Sequence, residues 1–329
     1  MSVSEREILT RKRPRLETRS LVLRSIRLFF EERGFLEVDT PLRTSAPAPE
    51  QHIEAIPADE GFFLATSPEL YMKRLLSAGY DKIFQISHVF RKGERGRRHL
   101  PEFTMLEWYR GGSNYLDLQA DCRHLLTSIC RSTGRLGGWS YQGARLDVTE
   151  EWQLFTIREA FTRFAGWEPG SQPDEDRFNL DLVEKIEPRL GFPSPSFLVD
   201  YPSSQAALAR LKDGDPAVAE RFELFWAGIE LANGYSELTD AEEQRARFEA
   251  AMEARFQAGL ARYPLPGAFL ASVEHLAPCA GIAMGLDRLV MLLTDASDLD
   301  DVVAFPPELD VTEDSLPGGF AGSIRYSNP

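Results

Sequence analysis

KIFQISHVFRKGERGRRHLPEFTMLEWYR, residues 82–110, reads as two strand-like runs, 82–91 and 102–110, joined by a charged loop. Side chains alternate across a strand, so Phe103, Met105, Glu107 and Tyr109 share one face of the second run. A carboxylate set between aromatics is costly to bury unless a cation meets it. That face therefore suits a ligand with an ammonium group and a flat ring; a half-exposed strand with Glu107 in a structural ion pair satisfies the same pattern. The loop gathers Arg91, Lys92, Arg95, Arg97, Arg98 and His99 within nine residues. Arginine forks meet phosphate oxygens in pairs, so this concentration favours a polyphosphate over a merely solvated basic loop.

A second constellation is RFELFWAGIELANGYSELTD, residues 221–240. A two-residue turn at Ala227-Gly228 pairs Phe225 with Glu230 and makes Glu223 a diagonal neighbour of Glu230 on the same face. Two like charges placed so call for a cation between them, and magnesium commonly takes one or two carboxylates plus substrate phosphates. Asn233-Gly234 is expected to supply another turn, presenting Asn233, Tyr235 and Glu237. The run LFWAGIELANGY is too apolar for a solvent-facing ribbon. Ser67-Pro68-Glu69 opens a helix ending at Gly79; there the helix dipole alone accounts for a glutamate in the first turn. Arg288, just after Gly285 at the start of the last helix, fits a phosphate contact or a surface site equally well.

Around these segments, 21–33 and 241–259 have helical spacing, 35–42 alternates like a strand, and 116–190 reads as mostly helical. Antiparallel hairpins with helices between and around them predict an α+β fold, an antiparallel sheet flanked by helices. The 329 residues, 43% hydrophobic with a net charge of −14, suffice for a sizeable core and argue against a broad basic nucleic-acid face. No membrane span or secretory leader is visible, so a cytoplasmic protein is expected. Cys122, Cys130 and Cys279 form no metal or disulfide framework, and the five histidines are scattered.

Taken together, these segments resemble one family. FRKGERGRRHLPEFTMLEWYR (90–110) is similar to motif 2 of the class II aminoacyl-tRNA synthetases, GIAMGLDRLVMLL (281–293) to motif 3, and GFLEVDTPL (34–42) to motif 1. ATSPELYMKRLL (65–76) and FELFWAGIELANGYSELTDAEEQ (222–244) narrow the resemblance to the lysyl branch. With motif 1 inside the first 40 residues there is no room for an anticodon-reading domain. The chain thus looks like the free-standing paralogues that attach (R)-β-lysine to elongation factor P, which resemble it further in carrying alanine at position 283. The expected domains are a basic N-terminal arm over 1–18, a class II synthetase-like catalytic domain over 19–306, and an acidic Pro/Gly-rich tail over 307–329.

The resemblance implies an ATP- and Mg2+-dependent, AMP-forming ligase. It would adenylate (R)-β-lysine or lysine and transfer it to a lysine side chain of elongation factor P, as a homodimer without stable tRNA binding. A lysine 2,3-aminomutase is the implied functional companion. It also implies roles. Arg91 and Arg288 would be catalytic, on the α- and γ-phosphates, with Phe103 and Arg288 sandwiching adenine. His99 would reach the terminal phosphates, and Lys92, Gly93, Glu94, Leu100, Glu230, Leu231 and Gly285 complete the ATP site. Glu223 and Glu230 would hold magnesium. Glu107, Tyr109 and Glu237 would grip the distal ammonium, Ser67, Pro68 and Glu69 would face the other amine, and Asn233 the carboxylate, with Tyr235 and Ala283 on the pocket wall. The family often shows R-N-E and N-P-E-F where this chain has Arg91-Lys92-Gly93-Glu94 and Leu100-Pro101-Glu102-Phe103. Glu94 would replace the missing carboxylate, and Leu100 has no amide to offer ATP. The alternatives are a truncated synthetase-like enzyme acylating tRNA or another acceptor, and a non-catalytic paralogue with a regulatory role.

Overall fold

A computed structural model describes residues 4–307. Nine strands form the main sheet: β1 (Leu36–Glu37), β2 (Lys82–Phe90), β3 (Glu102–Gly111), β4 (Gln153–Thr156), β5 (Ser196–Pro202), β6 (Leu211–Lys212), β7 (Asp215–Trp226), β8 (Ile229–Ser236) and β9 (Cys279–Gly285). Their spatial order is β1-β2-β3-β9-β8-β7-β5-β4, with β6 paired to β7. The inner pairings are antiparallel, whereas the two outer ones, β1 with β2 and β4 with β5, are parallel. The architecture is α+β as expected, with parallel edges that the alternation of residues did not announce.

Helices α1 (Glu5–Glu31), α2 (Glu69–Ser77), α3 (Tyr115–Ser132), α4 (Ala241–Gln257), α5 (Gly267–Val273) and α6 (Leu286–Leu293) surround the sheet. Val22, Ile26 and Phe30 of α1, Leu125 and Leu126 of α3, and Leu289 and Val290 of α6 bury themselves on one sheet face beside Leu106 and Trp108. Phe30 stacks on Phe84 at 4.7 Å. Alternation then sends the other parity of β3 to the opposite face: Phe103, Met105, Glu107 and Tyr109 all line one large cavity.

Three expectations about elements need correction. The arm expected over 1–18 is helical from Glu5, capped by Ser4 and Glu7 in a reciprocal box. It stays helical through Pro14 because its polar residues find partners: Lys12 Nζ donates to the carbonyls of Val303 and Ala304, and Arg19 pairs with Asp287. Asn233-Gly234 is no turn; both residues lie inside β8. A Cβ on Gly234 would meet Ile282 Cβ at 2.8 Å and a Phe222 ring carbon at 2.9 Å, so glycine permits a close strand approach there. Lastly, the helical reading of 116–190 missed the edge strand β4 and the hairpin Trp139–Tyr141 with Ala144–Leu146. The expected tail falls outside the described residues, apart from Pro307. All three cysteines are buried and free, and no helix among the described residues is long and apolar enough to cross a membrane.

Candidate active site

The cavity, about 900 Å³, lies over the centre of the sheet where β3, β9, β8 and β7 run side by side. Register explains how residues far apart in sequence meet there. Ala283 of β9 lies opposite Glu107 of β3 on one side and Asn233 of β8 on the other. Gly281 lies opposite both Tyr109 and Tyr235. A Cβ at Gly281 would come within 2.1 Å of the Tyr109 ring and 2.4 Å of Glu237 Oε1, so only glycine lets these side chains cross that strand.

One end of the cavity is a buried cluster of acids and tyrosines. Glu107, 1% exposed, accepts hydrogen bonds from Ser67 Oγ at 2.6 Å and Tyr109 OH at 2.8 Å. Burial, then the charge of Glu69, pushes its carboxyl up to about 8 despite those two donors. Ser67 Oγ also accepts from the Glu69 backbone N–H, so one hydroxyl both starts α2 and orients Glu107. Glu69 Oε1 receives the Tyr235 hydroxyl at 2.5 Å and Lys73 Nζ at 2.6 Å. Lys73 also pairs with Glu237, which is fully buried beneath the cavity.

The other end is basic and open. Arg288 donates to the Glu230 carbonyl at 2.9 Å and to the Arg98 carbonyl at 3.1 Å, and meets His99 Nε2 at 2.8 Å. Desolvation in the cleft and the Arg288 charge hold His99 below its usual value. The Arg91 guanidinium lies 5.2 Å from the Phe103 ring centre and 3.7 Å from Glu94, and its buried Nε has no protein partner. Between the ends, Arg221 bonds Glu223 at 2.7 Å and Asn233 Oδ1 at 3.3 Å. Burial and the neighbouring Glu230 charge raise the Glu223 carboxyl above its ordinary range.

The expected β7–β8 turn is present: Phe225 pairs with Glu230, and Ala227 and Gly228 take φ of 54° and 67°. A register shift after Leu224 then sets Glu223 opposite Asn233 while Glu230 stays at the cavity wall. Each of these carboxylates already has one cationic partner, Arg221 for Glu223 and, at 3.4 Å, Arg288 for Glu230; oxygen donors of this kind are what a hard divalent cation takes. Among the described residues no three side chains form a complete metal cage.

Of the residues singled out from sequence, Ser67, Glu69, Arg91, Glu94, His99, Leu100, Phe103, Glu107, Tyr109, Glu223, Glu230, Leu231, Asn233, Tyr235, Ala283, Gly285 and Arg288 line the cavity. Four do not. Lys92 turns away to pair with Glu54 at 2.6 Å, and Gly93, with φ of 78°, serves the loop's turn. Pro68 begins α2, and Glu237 lies behind the wall rather than on it. Leu100, 2% exposed, belongs to the main core as well as to the wall, which explains how an apolar residue is accommodated beside the arginines.

Sequence reasoning missed Lys73, Arg221, Glu50 and Glu187. Burial raises Glu50 to about 7 against the opposing pull of Arg91, and raises Glu187 to about 7 with help from Glu230 and Glu223. Glu50 belongs to a loop over the cavity whose carbonyls at Glu50 and Ile53 are each held at 2.7 Å by the fully buried Arg255. For Lys73 a signal existed: it stands four residues after Glu69 on one helix face.

With this geometry in place, comparison with known proteins gives a consistent picture. The profile of the tRNA synthetases class II (D, K and N) matches residues 8–309. The chain is 40% identical over 307 residues to the elongation factor P–(R)-β-lysine ligase of Vibrio cholerae serotype O1, covering 88% of this chain and 94% of that one. It is 40% identical over 309 residues to the protein of that name from Yersinia enterocolitica, covering 88% and 93%. The Proteus mirabilis protein of that name is 39% identical over 303 residues, covering 87% and 92%.

Proposed function

The chain belongs to the class II tRNA synthetases (D, K and N), and on that premise we propose that it is an ATP-dependent ligase. It adenylates (R)-β-lysine or lysine and transfers the acyl group to a lysine side chain of elongation factor P. The observation that carries this reading is one cavity with carboxylates buried at one end and arginines at the other. A diamino acid and a nucleoside triphosphate, laid carboxylate to α-phosphate, match that polarity.

In this reading Glu107 and Glu69, on opposite sides of Ser67, take the two ammonium groups, with Tyr109 and Tyr235 walling the chain between them. The Asn233 amide, oriented by Arg221, faces the substrate carboxylate. Adenine sits between Phe103 and Arg288, and the Arg91 guanidinium, on the cavity wall, faces the α-phosphate. Glu223 and Glu230 would hold Mg2+, which when bound supplies charge neutralisation on the phosphates. The substrate carboxylate attacks the α-phosphorus, and Arg91 stabilises charge on the transferring group as pyrophosphate leaves. The acceptor amine then attacks the mixed anhydride and expels AMP. Held geometry and fixed charge suffice, and no protein nucleophile is required.

The test is to incubate the protein with ATP, Mg2+, elongation factor P and each lysine isomer, then read the intact mass of the factor. The expected result is a gain of one lysyl unit with at least one isomer. An unchanged mass with both overturns the reading, and lysine found instead on bulk tRNA favours a synthetase-like acceptor.

A further inference from the structure

We propose that Lys73 is a positioning and specificity-determining residue of the amine end: it anchors to Glu237 and pins Glu69, so that the cavity presents two carboxyl groups, Glu69 and Glu107, to an amino acid carrying two ammonium groups. The inference rests on the functional reading above and adds to it a residue with no assigned role.

The geometry is specific. Lys73 is 1% exposed, and its ammonium touches two carboxylates on different elements, Glu69 on its own helix at 2.6 Å and Glu237 just beyond β8. Its Nζ lies 5.3 Å from the centre of the Tyr235 ring, whose hydroxyl closes onto the same Glu69 oxygen. Three buried carboxylates, Glu69, Glu107 and Glu237, share this end with that one ammonium. Burial first and the Glu69 charge second push Glu107 up to about 8, so a cation reaching it favours the ionised carboxylate. Glu237 keeps Oε1 without a hydrogen-bond donor and does not line the cavity, so its part is to anchor Lys73. Without the ammonium, Glu69 and Glu237 would repel each other and Glu107 in a site shielded from water. Glu69 would then lose the partner that aims it at the substrate.

Amino-acid-dependent ATP–pyrophosphate exchange tests this with Lys73→Met, which keeps length and removes charge, and Lys73→Arg, which keeps charge. The substrates are the lysine isomer that the unsubstituted protein activates and its analogue with hydroxyl in place of the distal amine. Lys73→Met should raise the amino-acid KM roughly tenfold or more and shrink the preference for the diamine by a similar factor. The KM for ATP should stay within about twofold, and Lys73→Arg should restore most of the preference. If the methionine variant does not fold, Lys73→Gln takes its place with the same expected loss of preference. An unchanged diamine preference in a folded, neutral variant overturns the inference, as does a parallel rise of both KM values. No exchange with either isomer in the unsubstituted protein overturns the functional reading, and this inference with it.

Discussion

At the phosphate end of the cavity Arg91 and Arg288 keep 23% and 21% of their side-chain surface exposed, and Arg288 spends its donors on backbone carbonyls and a histidine. At the amine end Glu107, Glu69, Glu237 and Lys73 are each buried, with hydroxyls and one another as partners. Solvent can relax around the first set, so its charges are cheap to hold and adaptable in position. Desolvated charges have no such freedom, so the second set must be arranged during folding, before any substrate arrives. The contrast suits a ligand pair in which one member is a flexible polyanion and the other a small, closely discriminated molecule with two ammonium groups.

The comparison can be broken most directly at the phosphate end. Arg288→Ala should lower kcat for amino-acid-dependent pyrophosphate exchange by roughly 10²–10³-fold, with thermal stability unchanged. A loss of less than about tenfold would show that the arginines of this end steer rather than catalyse. At the buried end, Glu107→Gln should raise the amino-acid KM by roughly 30-fold or more while leaving the ATP KM near its starting value, read in the same exchange assay.

Glu107 has a folded pKa of about 8, above the usual carboxyl value, as do Glu50 and Glu187 at about 7. The folded state therefore binds more protons than the unfolded one between pH ~4.5 and ~8, and stability falls as pH rises through that window. Without ligand, Tm should drop by on the order of 5 °C from pH 5 to pH 8, and saturating diamino acid should flatten that slope. A slope of opposite sign would mean that the carboxyls are ionised and compensated in the empty protein. The smallest effect is expected at Lys92, which pairs with Glu54 at the surface: Lys92→Ala should leave both KM values and kcat within about twofold. A larger loss would draw that residue into the phosphate end after all.

How far the residues announced this arrangement depended on how local its causes are. The face of Phe103, Met105, Glu107 and Tyr109 follows from strand alternation alone, and all four meet the cavity. The Phe225–Glu230 pairing follows from turn chemistry at Ala227-Gly228. Asn233-Gly234 carries the same turn signature, yet what fixes Gly234 is the bulk of Ile282 and Phe222 from two neighbouring strands, which no local pattern shows. The first helical turns needed the carbonyls of Val303 and Ala304, nearly 300 residues away, to hold Lys12. Lys73 was legible as a helical neighbour of Glu69 but not as a buried ion, because Glu237 reaches it only once β8 and β9 are assembled. The resemblance in five ordered segments supplied the residue roles that spacing left open.

Only six of the chain's 37 Lys and Arg residues are lysines, and each amine has a partner. For Lys73, burial alone would favour the neutral amine, but the charges of Glu237 and Glu69 outweigh it and raise the pKa. Lys92 and Lys212 are likewise raised, by their hydrogen bonds to Glu54 and Asp200. An ammonium has no lone pair with which to attack an acyl-adenylate. The most deeply buried amine of the chain is thus held as an ammonium, without a lone pair to offer, by the same ion pairs that shape the pocket.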